Sequence, residues 1–201
     1  MTPPHLVIAD FLSGGERAGL LQWTLANEHR FAPARVEAGV EERARKALCL
    51  RDLGTLADPL RQRLLAQVDP WIAALRLSRF DPSLIELELA AHNDGAFFAI
   101  HGDSYRSDQP ARGDRMLSGV YYFHREPKAF SGGQLRLHRP GAKAGDPGHD
   151  VAPSQGRLVV FPSWWPHEVL RIDCPSGDFA DSRFSVNCWI HRQRPAPADP
   201  N

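Results

Sequence analysis

The spacing of apolar positions changes near residue 84, and the change divides the chain into two parts. Before it, apolar residues recur at helical spacing. Ser13 stands three residues ahead of Glu16, a capping-box spacing, and Ala18, Leu21 and Leu25 follow on one helical face. Leu60, Leu64, Leu65 and Val68 repeat the pattern. Asp69-Pro70 then predicts an N-cap and a first-position proline for a short helix carrying Trp71, Ile72 and Leu75. Residues 5–9 (HLVIA) read as a strand, and residues 41–46 (EERARK) as a solvated charged loop or face. These helices hold too little apolar surface for a second domain, so they are expected to form a layer on a sheet.

From residue 84 the period is two. Ile85, Leu87 and Leu89 alternate with Glu86 and Glu88, and Asn93-Asp94-Gly95 supplies a turn. Further strand-like runs lie at 96–101, 118–124, 134–138, 157–161, 167–172 and 183–191, with a weak one at 150–152. Glycine-, proline- and serine-rich clusters, including Ser131-Gly132-Gly133 and Ser154-Gln155-Gly156, separate them. About eight short strands with no helices between them predict a mostly β (α+β) fold, an antiparallel sandwich or barrel. One domain is expected over 1–191, with helical support in 1–83 and the β core in 84–191. Residues 192–201 (RQRPAPADPN) read as a disordered tail.

Composition narrows the function classes. The 201 residues carry 24 Lys+Arg and 24 Asp+Glu, a formal charge of zero. That argues against a nucleic-acid binder relying on a broad basic face. Only Lys46, Lys128 and Lys143 are lysines; the other basic residues are arginines. Cys49, Cys174 and Cys188 include no C-x-x-C pair, which suits a reduced protein better than a disulfide scaffold. No signal peptide is read in residues 1–11 and no bilayer-spanning run elsewhere, so the expected location is cytoplasmic, with no membrane partner.

The candidate chemistry lies among the histidines. His101 and Asp103 are two apart at the end of a predicted strand, so imidazole and carboxylate emerge on one face. Alone, H-x-D is a weak signal. His167 opens a later strand after the aromatic turn Pro162-Ser163-Trp164-Trp165-Pro166. Two imidazoles and a carboxylate on one side of a metal, with other positions open, suit non-haem Fe(II) chemistry; the plainer alternative is a histidine hydrogen-bonded at a strand end. Strand 183–191 places Arg183, Ser185, Asn187 and Trp189 on one face. An arginine in line with a serine suits a dicarboxylate site, while a surface arginine paired with an Asp is the plainer option.

His101-x-Asp103, His167 and Arg183-x-Ser185 together resemble the signature of Fe(II)/2-oxoglutarate-dependent oxygenases. The likeness is to the prolyl 4-hydroxylase and hypoxia-type prolyl hydroxylase branch with its bacterial relatives. Gly95, Val120-Tyr121-Tyr122, Ser131 to Leu137, Phe161-Pro162-Ser163, His167-Glu168-Val169 and Arg183 to Trp189 occur in family order, covering about 84–191. The resemblance implies a double-stranded β-helix (jelly roll). It assigns His101, Asp103 and His167 to Fe(II) and Arg183 to the distal carboxylate of 2-oxoglutarate. Tyr122 and Ser185 are implied helpers of Arg183. It also implies O₂ as co-reactant and ascorbate as a candidate reductant. The implied reaction couples oxidative decarboxylation of 2-oxoglutarate, to succinate and CO₂, with hydroxylation of an unactivated C–H bond; the retained Asp103 argues against halogenation. The chain departs from the pattern at His92, where relatives often carry tyrosine. His92 is read as capping the turn, with contact to cosubstrate or substrate as the alternative. The gap from His167 to Arg183 is also long, and residues 173–182 must absorb it.

Substrate candidates are Tyr105, Arg115 and Trp189, with loop 104–116 as a natural lid bearing Arg112 as well; solvated loop arginines are the equal alternative. Trp164 and Trp165 are expected in the core or the pocket wall. The favoured substrate is a prolyl residue in a protein or peptide, with a free amino acid or small metabolite as the alternative. An alkylation-repair demethylase would carry a second arginine where Trp189 stands. A non-enzymatic sandwich binding module would be expected to have lost part of the triad. A cupin site would show H-x-H in place of H-x-D.

Overall fold

In the computed structural model, residues 2–34, 45–104 and 113–193 are described. Helix α1 (Gly14–Ala26) begins where the spacing of Ser13 and Glu16 places it. The Ser13 hydroxyl accepts from the Glu16 amide, and the Glu16 carboxylate accepts from the Ser13 amide at 2.8 Å. Helix α2 (Ala57–Leu65) carries Leu60 and Leu64. Helix α3 (Val68–Ala74) begins earlier than Asp69-Pro70 implied: Gln67 is its N-cap, and Pro70 sits inside the first turn. The proline is tolerated there because a first-turn N–H has no intrahelical acceptor to lose.

The strands are β1 (Leu6–Ile8), β2 (Ala32–Pro33), β3 (Arg45–Lys46), β4 (Leu48–Leu50), β5 (Pro82–His92), β6 (Phe97–His101) and β7 (Asp114–Phe123). They continue with β8 (Ser131–Gly132), β9 (Leu135–Leu137), β10 (His149–Val151), β11 (Leu158–Pro162), β12 (His167–Val169), β13 (Ile172–Asp173) and β14 (Arg183–Arg192). The larger sheet has the order β1-β11-β7-β14-β5-β4-β2 and the smaller β10-β9-β12-β6-β3; β13 and β8 form a separate pair. Every pairing is antiparallel. The period-two runs predict an antiparallel sandwich or barrel, and the two sheets are consistent with the jelly roll that the family resemblance implies.

Strands β2, β3, β4 and β8 have no counterpart among the sequence-derived strands. Each is two or three residues long and too short to show a period; each is held by a partner distant in sequence. Residues 41–46 need correction in part. Residues 41–44 lie outside the described set, but Arg45 and Lys46 form β3, and Arg45 is buried. The tail from 194 onward also lies outside the described residues.

Alternation on the long central strands separates core from site. On β5 and β14, Ile85, Leu87, Leu89, Ala91, Phe184, Val186, Cys188 and Ile190 form one apolar cluster with Leu20, Leu64, Val68, Trp71 and Ile72 of the helices. Each large apolar side chain buried there contributes about 1.5–3 kcal/mol. The opposite face of the same strands carries His92, Glu88, Glu86, Arg183, Ser185, Asn187 and Trp189, in register across the ladder. Thus one face fixes the helices to the sheet and the other is left for polar chemistry. Among the described residues, no helix is long and apolar enough to cross a membrane.

Candidate active site

Three elements converge on His101, Asp103 and His167. His101 ends β6 and His167 begins β12, directly opposite each other in the smaller sheet. Asp103 follows His101 on a segment tied down by hydrogen bonds from the Asp103 and Ser104 amides to the Ser163 carbonyl, at 2.7 and 3.0 Å. His101 Nε2 lies 3.6 Å from Asp103 Oδ1, and His167 Nε2 lies 3.5 Å from Oδ2. One ligand atom from each residue falls within 4.8 Å of the other two.

Hydrogen bonding around the triad sets its protonation. His101 Nδ1 is 2.8 Å from the Ala99 carbonyl and His167 Nδ1 is 2.8 Å from the Trp165 carbonyl. A carbonyl only accepts, so both Nδ1 atoms carry hydrogen and both Nε2 lone pairs face the carboxylate side. Burial, then neighbouring His101, pushes the His167 pKa down to about 4, leaving that imidazole neutral near pH 7. Burial alone would raise the Asp103 carboxyl, but His167, His101 and the Ser118 hydroxyl outweigh it and hold it well below the usual range. Ser118 donates to Asp103 Oδ2 at 2.6 Å and lies 2.9 Å from Ser163 Oγ. Two imidazole Nε2 atoms and an ionised carboxylate with open space beside them fit a divalent iron.

The second cluster is built on β14. Arg183 is 1% exposed, and its guanidinium lies over the Tyr122 ring, 4.7 Å from the centroid. Arg183 Nη1 is 3.2 Å from His92 Nδ1. A guanidinium only donates, so Nδ1 accepts and the His92 hydrogen sits on Nε2. Burial, then Arg183 and Arg45, keep the His92 pKa well below its ordinary value. Arg183 Nε, Tyr122 Oη and His92 Nε2 are all buried without a well-formed hydrogen bond. Buried orphan donors grouped in this way call for an acceptor. A carboxylate is the acceptor that a guanidinium, a phenol and a neutral N–H would share.

Gly133 keeps room for Arg183: a Cβ there would come within 2.7 Å of Arg183 Cδ and of Ile172 Cγ1. Ser185 also lines the cavity, with its hydroxyl donating to Asn187 Oδ1 at 3.2 Å. Tyr121 faces the other way, packing in the helix-side cluster. His92 does not cap the turn as the sequence suggested. Asn93 does, its Oδ1 accepting from the Asp94 amide at 2.6 Å and its carbonyl from the Ala96 amide. Residues 173–182 are held by Asn93 donating to the Asp178 carbonyl at 2.7 Å and by an Arg125–Asp181 ion pair at 2.7 Å.

With this geometry, the comparison with known proteins is decisive for the family. The model of the 2OG-Fe(II) oxygenase superfamily matches residues 87–191, just over half of the chain. The chain belongs to that superfamily. An uncharacterised PKHD-type hydroxylase of Synechocystis is 32% identical over 192 residues, covering 92% of this chain; the chain spans 62% of that relative's length. The crystal structure of a Pseudomonas putida prolyl-4-hydroxylase is 30% identical with a TM-score of 0.66, covering 96% of this chain and 95% of that one. A Trichoplax adhaerens prolyl hydroxylase, solved with a hypoxia inducible factor peptide fragment, is 20% identical with a TM-score of 0.68. It covers 95% of this chain and 84% of that one, and shares the fold.

The substrate candidates of this oxygenase divide. Trp189 lines the cavity. Arg115 belongs to β7 and not to a lid loop, and is not among the described residues lining the cavity. Its guanidinium lies over Trp189, 4.1 Å from the centroid, and pairs with Glu86 at 2.8 Å. Tyr105 and Arg112 lie outside the described residues. Trp164 is exposed and Trp165 packs on a satellite cluster, so neither walls the oxygenase pocket. Three pocket-shaping residues were missed in the sequence. Ser118 could have been found from the alternation that places it opposite Trp189. Gly133 and Arg45 act through partners dozens of residues away, for which no local signal exists.

Proposed function

We propose that this chain is a Fe(II)- and 2-oxoglutarate-dependent dioxygenase hydroxylating an unactivated C–H bond, with a prolyl residue of a peptide or protein as substrate. The observation carrying this reading is the facing of two sites in one cavity: a His–Asp–His triad with an ionised carboxylate and a buried arginine with no counter-ion among the described residues. His101, Asp103 and His167 would hold the metal, which supplies oxygen activation when bound. Arg183 would hold the distal carboxylate of 2-oxoglutarate, with Tyr122 and His92 as further donors and Ser185 beside them. In total, R–H, O₂ and 2-oxoglutarate become R–OH, succinate and CO₂. The protein's own share is to fix both Nε2 atoms, keep Asp103 ionised and exclude water from the clamp. The identity with the Pseudomonas putida prolyl-4-hydroxylase favours a prolyl substrate. Ascorbate would serve only to keep iron reduced.

The test is incubation with Fe(II), 2-oxoglutarate and ascorbate against a panel of prolyl peptides and free amino acids, read by mass spectrometry. A peptide product one oxygen atom heavier, with matching succinate, is expected. Oxygen incorporation into free amino acids alone would replace the peptide reading with the metabolite one. No succinate under any condition would reject the enzyme reading.

A further inference from the structure

Arg45 is where the structure departs furthest from the sequence, and the reading above gives it no part in holding metal or cosubstrate. It projects from β3 at the edge of the smaller sheet and reaches across to Glu88 on β5 of the larger one. Arg45 Nη2 is 2.7 Å from Glu88 Oε1 and 3.2 Å from Cys49 Sγ. The guanidinium lies 4.9 Å from the centroid of Phe98, and that ring stacks on His101 with centroids 3.6 Å apart. Arg45 therefore lines the same cavity as the triad. Its side chain is 8% exposed, and Nε, shielded from solvent, has no hydrogen-bond partner among the described residues.

The charge around it is unbalanced. Glu88 is shared by buried Arg45 and, at 3.2 Å, by the largely exposed Arg51, so the three side chains sum to one positive charge, with Asp103 the further cavity carboxylate that acts on Arg45. The neighbouring Arg115 pairs with Glu86 and adds none. Asn187 sits opposite Glu88 in the ladder and lines the cavity; its Oδ1 is taken by Ser185, which leaves the amide N–H₂ for another acceptor. His92 stands four positions beyond Glu88 along β5, roughly 13 Å of strand, so this group meets the shared cavity at a different point of the strand from the Arg183 clamp.

We propose that Arg45 and Asn187 form a second recognition point, for a carboxylate on the substrate close to the carbon that is oxidised. The inference rests on the oxygenase reading and narrows it. One net charge suits a mono-anion, and a planar guanidinium with a free N–H beside an amide donor suits carboxylate oxygens. The carboxylate has two sources, the α-carboxylate of a free amino acid or the side chain of an acidic residue next to the target in a peptide.

The experiment compares each acid with its neutral isostere on the wild-type protein: L-proline against L-prolinamide, and prolyl peptides with Asp against Asn beside the proline. A preference of about 10- to 100-fold in kcat/KM for the acid is expected in one arm, and the arm identifies the source. Arg45→Met should collapse that ratio towards one. Because this variant leaves Glu88 buried without its closest partner, the Arg45→Met/Glu88→Met pair provides a second background, in which the ratio should also collapse. Equal turnover of acid and neutral forms by the wild type overturns the proposal, as does a preference surviving in either variant. Absence of 2-oxoglutarate turnover by the wild type would instead defeat the underlying oxygenase reading.

Discussion

Among the described residues two arginines are buried to nearly the same degree, and they differ in what surrounds them. Arg45 has a carboxylate at 2.7 Å. Arg183 has a neutral imidazole and the face of a phenol ring, and no described ion pair includes it. A buried charge without a counter-ion costs several kcal/mol, and burial accordingly lowers the Arg183 pKa. Such a group persists where a ligand supplies the missing charge. The paired arginine ties two sheets together and keeps only one donor in reserve. Burial alone therefore does not tell an arginine that depends wholly on a ligand for its counter-charge from one that is already paired and has a single donor left to offer; the presence of a counter-ion does.

The contrast matters only if the cavity carries out chemistry, and removing the triad is the strongest way to break it. His167→Ala or Asp103→Ala should bring 2-oxoglutarate turnover to background and abolish stoichiometric Fe(II) binding in an anaerobic titration. Turnover at the wild-type rate in either variant would remove the cavity from the reaction altogether.

Replacing the two arginines in turn sharpens the contrast, because the expected stability changes have opposite signs. Arg183→Met should raise the KM for 2-oxoglutarate about 100-fold, the loss of a charge-assisted bidentate contact. The same change should raise the melting temperature of the cosubstrate-free protein, since an uncompensated charge is removed. Arg45→Met should lower it, by roughly 6–12 °C, because about 3 kcal/mol is lost when Glu88 is left buried. A drop in both variants, seen by differential scanning fluorimetry, would mean that Arg183 is bridging after all.

The same comparison shows how much the sequence could reveal. Arg183 was legible because it stands in a long strand with period-two alternation, where an arginine on the face of Ser185 and Asn187 is conspicuous. The antiparallel β core is legible for the same reason, since its central strands are long enough to show a period; the jelly-roll arrangement is legible only through the family resemblance. Arg45 was not. It sits in a two-residue strand within a run of charges, and its burial depends on Glu88, which lies 43 positions further along the chain. His92 reads from the sequence as a cap of the turn, with contact to cosubstrate or substrate as the alternative. The adjacent Asn93 caps the turn, and Arg183, which engages the imidazole, is remote in sequence.

Ser118 offers an intermediate test on the iron side. Its hydroxyl is the 2.6 Å donor that orients Asp103, and its other side-chain partner among the described residues is Ser163, outside the triad. Ser118→Ala should weaken Fe(II) affinity about 10- to 100-fold while leaving the KM for 2-oxoglutarate at saturating iron unchanged. If iron affinity stays the same, Asp103 is oriented by its backbone alone.

The smallest expected effect separates Arg183 from Arg45 at the level of a single neutral hydrogen bond. His92 is the companion that Arg45 lacks: its Nδ1 accepts from Arg183 and its Nε2–H faces the cavity unpartnered. His92→Phe keeps most of the volume and removes both functions. It should raise the KM for 2-oxoglutarate roughly 5-fold, the worth of about 1 kcal/mol, with kcat little changed. His92→Tyr returns a hydroxyl donor from the same strand position and should recover part of the loss. A fall in kcat at unaltered KM would place His92 on the substrate side of the metal. Unchanged kinetics in His92→Phe would leave Arg183 and Tyr122 as the whole clamp.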